Sequence, residues 1–152
     1  MIAEIGQYVL IAALVLAAIQ AVVPLWGAAR GEAGLMAVGD RTAIAQAAAL
    51  LIAFAALTHG FVTSDFSLQI VFQNSHSLKP MLYKVSGVWG NHEGSMLLWV
   101  LVLALFSAAV AVFGRNLPPT LKARVLSIQA MIGFAFIAFI CPIGIFITRI
   151  FF

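Results

Sequence analysis

The stretch HSLKPMLYKVSGVWGNHEGSMLLW, His76 to Trp99, lies between two strongly apolar segments and decides how the chain is divided. It holds two histidines, two lysines, a glutamate and two tryptophans, whereas most of the remaining sequence is aliphatic. Charged groups are costly to bury in hydrocarbon. The pattern therefore predicts that the apolar segments on either side are separate membrane spans joined by a polar surface segment.

The composition indicates an integral membrane protein. Apolar residues make up 64% of the 152 residues and charged residues only 9%, which is too little polar surface to coat a soluble globule. The net charge of +3 is accounted for by basic residues at the ends of the apolar segments. We therefore predict a membrane-lipid environment and no nucleic-acid partner.

Four transmembrane helices are predicted, and the fold class is all-α. A hydrocarbon core of ~30 Å takes about 20 helical residues to cross, and backbone groups facing lipid must be satisfied within their own helix. The apolar runs long enough for this are residues 2–25, 42–62, 94–113 and 121–147.

The distribution of lysine and arginine predicts the orientation. Five basic residues lie in the two connections on one side: Arg30, Arg41, Arg115, Lys122 and Arg124. Three lie on the other side: Lys79, Lys84 and Arg149. The positive-inside rule then places both chain ends outside (N-out/C-out), together with the long loop between the second and third spans.

Small residues at four-residue spacing predict where the helices approach each other, because close backbone contact drives helix association in lipid. Two such faces occur, one in each of the first two spans: Ala13, Ala17 and Ala21, and Ala45, Ala49 and Ala53.

The outer loop, Thr63 to Glu93, is too long for a simple turn between neighbouring helices. Its first part, FSLQIVFQNS, alternates apolar and polar residues and fits either an extended stretch or a helix lying on the membrane surface. Asn91 is predicted to cap the third span, with Glu93 in the first helical turn. This explains the asparagine and the glutamate, and Trp89 fits an interfacial aromatic.

The two histidines suggest a binding site. His76, Trp89 and His92 are candidate contacts for a flat, apolar, anionic ligand such as haem. In the same stretch, Tyr83 could stack on the ring of such a ligand, and Lys79 and Lys84 could pair with its carboxylates. Histidines sixteen residues apart form no metal motif by spacing, and we identify no catalytic residue.

A family resemblance bears on whether these residues contact haem. The string VTSDFSLQIVFQNSHSLKPMLYKVSGVWGNHEGSMLLWVLVLALF resembles the N-terminal region of the CcmF-type haem lyases of bacterial cytochrome c maturation and of their NrfE-type relatives. MIAEIGQYVLIAALVLA and FGRNLPPTLKARVLSIQ resemble the start of that family and its first cytoplasmic loop. Together these stretches cover about residues 1 to 138.

The resemblance implies a role in cytochrome c-type biogenesis in the bacterial inner membrane; a mitochondrial inner membrane is the less favoured location. In the family, haem b is handed over by a haem chaperone and attached to apocytochrome c on the outer side, with thioredoxin-like and TPR-type subunits assisting. Cys141 is the sole cysteine, so this sequence carries no Cys-x-x-Cys-His acceptor motif. It is expected to act on a cytochrome.

Family members are several times longer, and their tryptophan-rich haem-handling segment and its flanking histidines are absent from this sequence. We therefore interpret residues 1–152 as the N-terminal transmembrane bundle of such a protein and expect no haem attachment by it alone. Residues 141–152 depart from the family, which suggests a truncated or frameshifted reading frame, with a naturally split gene as the alternative.

Two other functions fit the composition. One is a small four-helix exporter of the multidrug type, although the spans lack a midplane carboxylate. The other is a structural subunit of a respiratory complex.

Overall fold

The computed structural model describes residues 2–66 and 68–143, and in this part of the chain the regular structure is helical, with no strands. Six helices and one short 3-10 turn, Gly114–Asn116, follow each other along the chain. The helices are α1 Ile2–Arg30, α2 Ala33–Val62, α3 Gln69–Asn74, α4 Met81–Gly87, α5 His92–Phe113 and α6 Pro119–Ile143.

Four of these helices, α1, α2, α5 and α6, are long and apolar enough to cross a membrane, which confirms the predicted all-α class with four candidate spans. Helix α2 begins at Ala33, nine residues before the predicted span 42–62. Helix α6 continues to Ile143, while the predicted end at residue 147 and most of the tail 141–152 lie outside the described residues.

The four long helices form a bundle. Helix α1 packs against α2 and α6, and α5 packs against the same two helices. Helices α2 and α6 also touch across the diagonal, and α2 additionally contacts α4. Helix α2 therefore has the most neighbours, and one of them is a short helix in the connection between α2 and α5.

The alanine faces were predicted correctly except at one position. Ala13 and Ala17 of α1 are fully buried. In α2, Ala53 is also fully buried, but Ala45 is exposed. The prediction was wrong for Ala45 because the face of α2 that packs on the other helices is rotated away from this position. The inward face of α2 also includes Ala43, which lies about 200° around the helix from Ala45.

Polar side chains join the helices inside the bundle. The Gln20 side chain, fully buried in α1, donates a hydrogen bond from Nε2 to the backbone carbonyl of Leu126 at 3.0 Å. Ser107 of α5 donates from its hydroxyl to Oε1 of Gln129 in α6 at 2.8 Å. Such interhelical bonds contribute about 1 kcal/mol each in a bilayer. They tie α6 to both of its neighbours in the ring.

One end of the bundle is strongly basic. Lys122 of α6 donates to Asp40 Oδ2 of α2 at 3.2 Å and to the carbonyl oxygen of Ala111 in α5 at 2.9 Å. Its side chain is 13% exposed, so this ammonium group links three helices where the chain turns. We call this the basic end; its cationic residues are Arg30, Arg41, Arg115, Lys122 and Arg124.

Candidate functional site

At the other end of the bundle, residues Thr63 to Asn91 connect α2 to α5, and we call them the polar segment. The candidate site residues His76 and Trp89 lie in it, and His92 follows it directly. The chain leaves α2 through a tight reversal in which Ser64 takes a left-handed φ of 53°. The Asp65 amide then donates to the carbonyl of Gly60 at 2.9 Å. This reversal turns the segment back onto the end of the bundle.

The first part of the segment is anchored by a short helix. Leu68 and Val71, three residues apart, are buried, as is Ile70, whereas Phe72 is 58% exposed. Of the two predicted conformations, the structure shows the helix, α3. The alternating pattern was ambiguous because a helix of six residues is too short to show a helical period clearly.

Helix α4 is positioned by Phe61, a fully buried side chain in the last turn of α2. A Cβ atom placed on Gly87, the last residue of α4, would lie 3.3 Å from the Phe61 ring. Val88, the next residue, is also fully buried. The polar segment is therefore docked onto α2 through apolar contacts.

Asn91 forms the junction between the polar segment and α5. Its Oδ1 accepts a hydrogen bond from the Gly94 amide at 2.7 Å, which confirms the predicted N-cap. Its Nδ2 donates to the carbonyl oxygens of Gly87 at 2.9 Å and Val88 at 3.3 Å. Glu93 lies in the first turn, as predicted. One side chain thus fixes the end of α4 to the start of α5.

His92, the first residue of α5, lies on the wall of an open apolar groove of about 320 Å³ between α5 and α6. Met96 lines the groove one turn further along α5. Ala135, Phe136 and Phe139 form the α6 side. The imidazole therefore lies at the rim of an apolar groove that contains two phenylalanine rings. Such a groove suits a flat apolar ligand with a polar or metal centre.

The other two candidates lie apart from this groove. His76 is exposed in the connection between α3 and α4. Trp89 is 44% exposed, between α4 and α5. Neither belongs to the residues that line the groove with His92. Within residues 2–66 and 68–143, no group of three or more His, Cys, Asp and Glu side chains converges on a common metal position.

A second, polar pocket of about 280 Å³ lies between α3 and α4. Lys79 and Tyr83, both named from the sequence, are on its wall. Lys84, which the sequence could not separate from Lys79, is not among its lining residues. The structure thus distinguishes two lysines of the same short stretch.

The sequence reasoning missed the α6 side of the groove. Phe136 and Phe139 are three residues apart and so lie on one face of a helix, a signal that is visible in the sequence. Nothing in the sequence pairs that face with His92, because the pairing depends on how α5 and α6 pack. Met96, four residues after His92, was detectable in the same way.

Comparisons with known proteins find relatives that are named as cytochrome c-type biogenesis proteins. No family model matches the chain. The chain is 61% identical over 140 residues to the cytochrome c-type biogenesis protein ccl1 of Rhodobacter capsulatus, covering 92% of this chain and 21% of that protein. It is 45% identical over 140 residues to the cytochrome c-type biogenesis protein CcmF of Haemophilus influenzae, covering 92% of this chain and 22% of the relative.

A solved structure, Cytochrome c Heme Lyase CcmF, superposes with a TM-score of 0.85 and 25% sequence identity, over 91% of this chain and 23% of that chain. The chain therefore spans about a fifth of the length of the relatives it matches. The resemblance inferred from the sequence is confirmed: over nearly its whole length this chain is a homologue of the CcmF-type cytochrome c-type biogenesis proteins, consistent with an N-terminal fragment of one.

Proposed function

We propose that the chain serves cytochrome c-type biogenesis as the N-terminal bundle of a haem lyase in the bacterial inner membrane. The observation that carries this proposal is the match over 92% of the chain to proteins of that name, supported by the superposition at a TM-score of 0.85. These relatives also favour biogenesis over the exporter and over a structural respiratory subunit.

The charge distribution supports an orientation with the polar segment outside. The basic end has five lysine and arginine side chains against the carboxylates of Glu32 and Asp40. At the opposite end the described residues offer two lysines, Lys79 and Lys84. Arginine and lysine are retained on the cytoplasmic side of bacterial inner membranes. The groove at His92 would then open toward the outer surface, where haem attachment takes place in this proposal.

His92 is the best-supported haem contact of the three sequence candidates. A neutral imidazole is a common iron ligand, and the Phe136 and Phe139 rings offer a flat apolar wall beside it. His76 and Trp89 are exposed in the polar segment and remain proposed haem contacts. They lie on a face that another part of a larger protein would cover.

The groove is open, and a single histidine lines it. We infer that this bundle forms one wall of a haem b site and that the remainder of a CcmF-type protein completes it. The chain alone is then not expected to attach haem. Its proposed partners are a haem chaperone, thioredoxin-like and TPR-type maturation subunits, and apocytochrome c.

A chimera tests this function. The segment of the Rhodobacter capsulatus relative that matches this chain is replaced by the corresponding 140 residues of the chain, and holocytochrome c is measured by haem staining. We expect holocytochrome formation to be retained. His92→Ala in the chimera should lower the yield about tenfold, the effect of losing one contact worth about 1.4 kcal/mol.

His59→Ala is the matched control, because His59 is also an exposed histidine but lies on α2, away from the groove. A chimera that accumulates in the membrane at the normal level and yields no holocytochrome would contradict the proposed function. An equal effect of the two histidine substitutions would contradict the role of His92.

The orientation is tested separately by cysteine labelling of intact cells in a Cys141→Ala background. A cysteine replacing His76 should react with a membrane-impermeant maleimide added from outside. A cysteine replacing Arg115, at the basic end, should react only after the cells are opened. The reverse pattern would overturn both the topology and the assignment of the groove to the outer surface.

A further inference from the structure

The pocket between α3 and α4 has the features of a small anion site. Its walls are formed by Asn74, Lys79, Tyr83, Ser86, Gly87 and Gly90, and its volume is about 280 Å³. One of these side chains is a cation, and the others are neutral or glycine. The pocket lies in the polar segment, which ends just before His92, and its lining residues are different from those of the groove.

The Lys79 ammonium group is held in place by the backbone. Its Nζ donates to the carbonyl oxygen of Asn74 at 3.0 Å. Asn74 is itself fixed, because its Nδ2 donates to the carbonyl of Ile70 at 2.9 Å. An ammonium group has three donors, so this bond leaves two available. Among the described residues, no carboxylate forms an ion pair with Lys79.

One neutral donor residue shares the pocket with this cation. Tyr83, whose side chain carries a phenol hydroxyl, lines the pocket and is 62% exposed. The Ser86 hydroxyl is already engaged, because it donates its one proton to the carbonyl of Tyr83 at 3.3 Å. Gly87 and Gly90 have no side chains to fill the space. The result is an open pocket that is lined by one cationic side chain and one tyrosine.

We propose that this pocket binds a carboxylate of an amphipathic ligand and that Lys79, not Lys84, is the lysine that meets it. One ammonium group with a phenol in the same pocket matches the single negative charge of a carboxylate, whereas a phosphate dianion would need further cations. Two sources share this chemistry: the acidic side chain of a porphyrin and the head of a free fatty acid. The porphyrin source rests on the proposed function; the fatty-acid source does not.

Competitive labelling of the purified 152-residue chain tests the proposal. Lys79 and Lys84 are acetylated with an N-hydroxysuccinimide ester, and the extent of modification at each is read by peptide mass spectrometry. The probes are metal-free protoporphyrin, its dimethyl ester and decanoate. We expect protoporphyrin or decanoate to slow the labelling of Lys79 and leave Lys84 unchanged, and the dimethyl ester to protect neither.

Protection by decanoate alone would support the carboxylate pocket and overturn the porphyrin source. Protection by protoporphyrin alone would support the porphyrin source. Equal rates at both lysines, with and without every probe, would overturn the pocket. The same holds if the dimethyl ester protects Lys79 as well as the free acid does, because the carboxylate would then be irrelevant.

Two variants give an independent measure. Lys79→Met should weaken the binding of the protecting acid about tenfold, the size of one lost charge-assisted hydrogen bond, while Lys84→Met should leave it unchanged. An equal loss in both variants would contradict the assignment to Lys79. Decanoate has no porphyrin ring, so its protection of Lys79 does not depend on the proposed function. Failure of the chimera would thus be distinguishable from failure of this pocket.

Discussion

Replacing Gly94 by alanine is expected to lower the free energy of unfolding of the bundle by about 3 kcal/mol, the upper range for adding a methyl group to a filled site. A Cβ atom at this position would collide with the backbone carbonyl of Val88 and would also lie 3.0 Å from Oδ1 of Asn91. The first contact is with main chain, so no side-chain rotation can relieve it. The added methyl group would push the end of the polar segment away from α5.

The measurement is unfolding of the purified chain in mixed micelles, followed by circular dichroism. Gly34→Ala is the control, because a Cβ atom at Gly34 in the first turn of α2 meets nothing within 4 Å. Alanine is also the better helix former, so the control should be neutral or slightly more stable. If Gly94→Ala unfolds at the same point as Gly34→Ala, the close approach of Val88 to α5 is wrong.

Replacing Phe61 by alanine should cost about 3 to 5 kcal/mol, as is found when buried aromatic side chains are truncated. The Phe61 ring is fully buried and lies against Gly87, so its loss removes the surface on which α4 rests. Because the bundle helices have other contacts, the effect should fall first on the polar segment. We expect faster tryptic cleavage after Lys84 together with the lower stability; the bond after Lys79 is not a tryptic site, because Pro80 follows it.

Phe72→Ala provides the comparison, since Phe72 is the same residue type and is 58% exposed. Its loss should change neither the unfolding transition nor the cleavage rate appreciably. Unchanged cleavage in Phe61→Ala would show that α4 is held by something other than this ring, and the docking of the polar segment onto α2 would have to be revised.

Both substitutions act on the placement of the candidate site. Asn91 ties the end of α4 to the first turn of α5, where His92 begins the helix. Lys79 lies before α4 and His92 directly after the cap. The docking of α4 therefore sets both the polar pocket and the groove. In the proposed function, loss of this docking would impair haem handling without touching either residue.

The elements that depend on local sequence were predictable. Long apolar runs identify the four long helices, and the Asn91 cap was recognised because an asparagine side chain bonds an amide within three residues of itself. The helix bounds were less predictable. Helix α2 begins at Ala33, nine residues before the predicted span 42–62. The charged residues Asp40 and Arg41 end the apolar run on which that prediction was based, but they do not end the helix.

The sequence by itself determined the membrane class, the four long helices, the capped start of α5 and the family to which the chain is related, because each of these depends on composition or on residues close together in the chain. The tertiary structure alone decided that Ala45 faces outward, that Phe136 and Phe139 lie opposite His92, and that Lys79 rather than Lys84 enters the polar pocket. Those relations join residues on different helices or on different sides of one turn. They are fixed by how close the helix backbones can approach, which is a property of the packed bundle and not of any single segment.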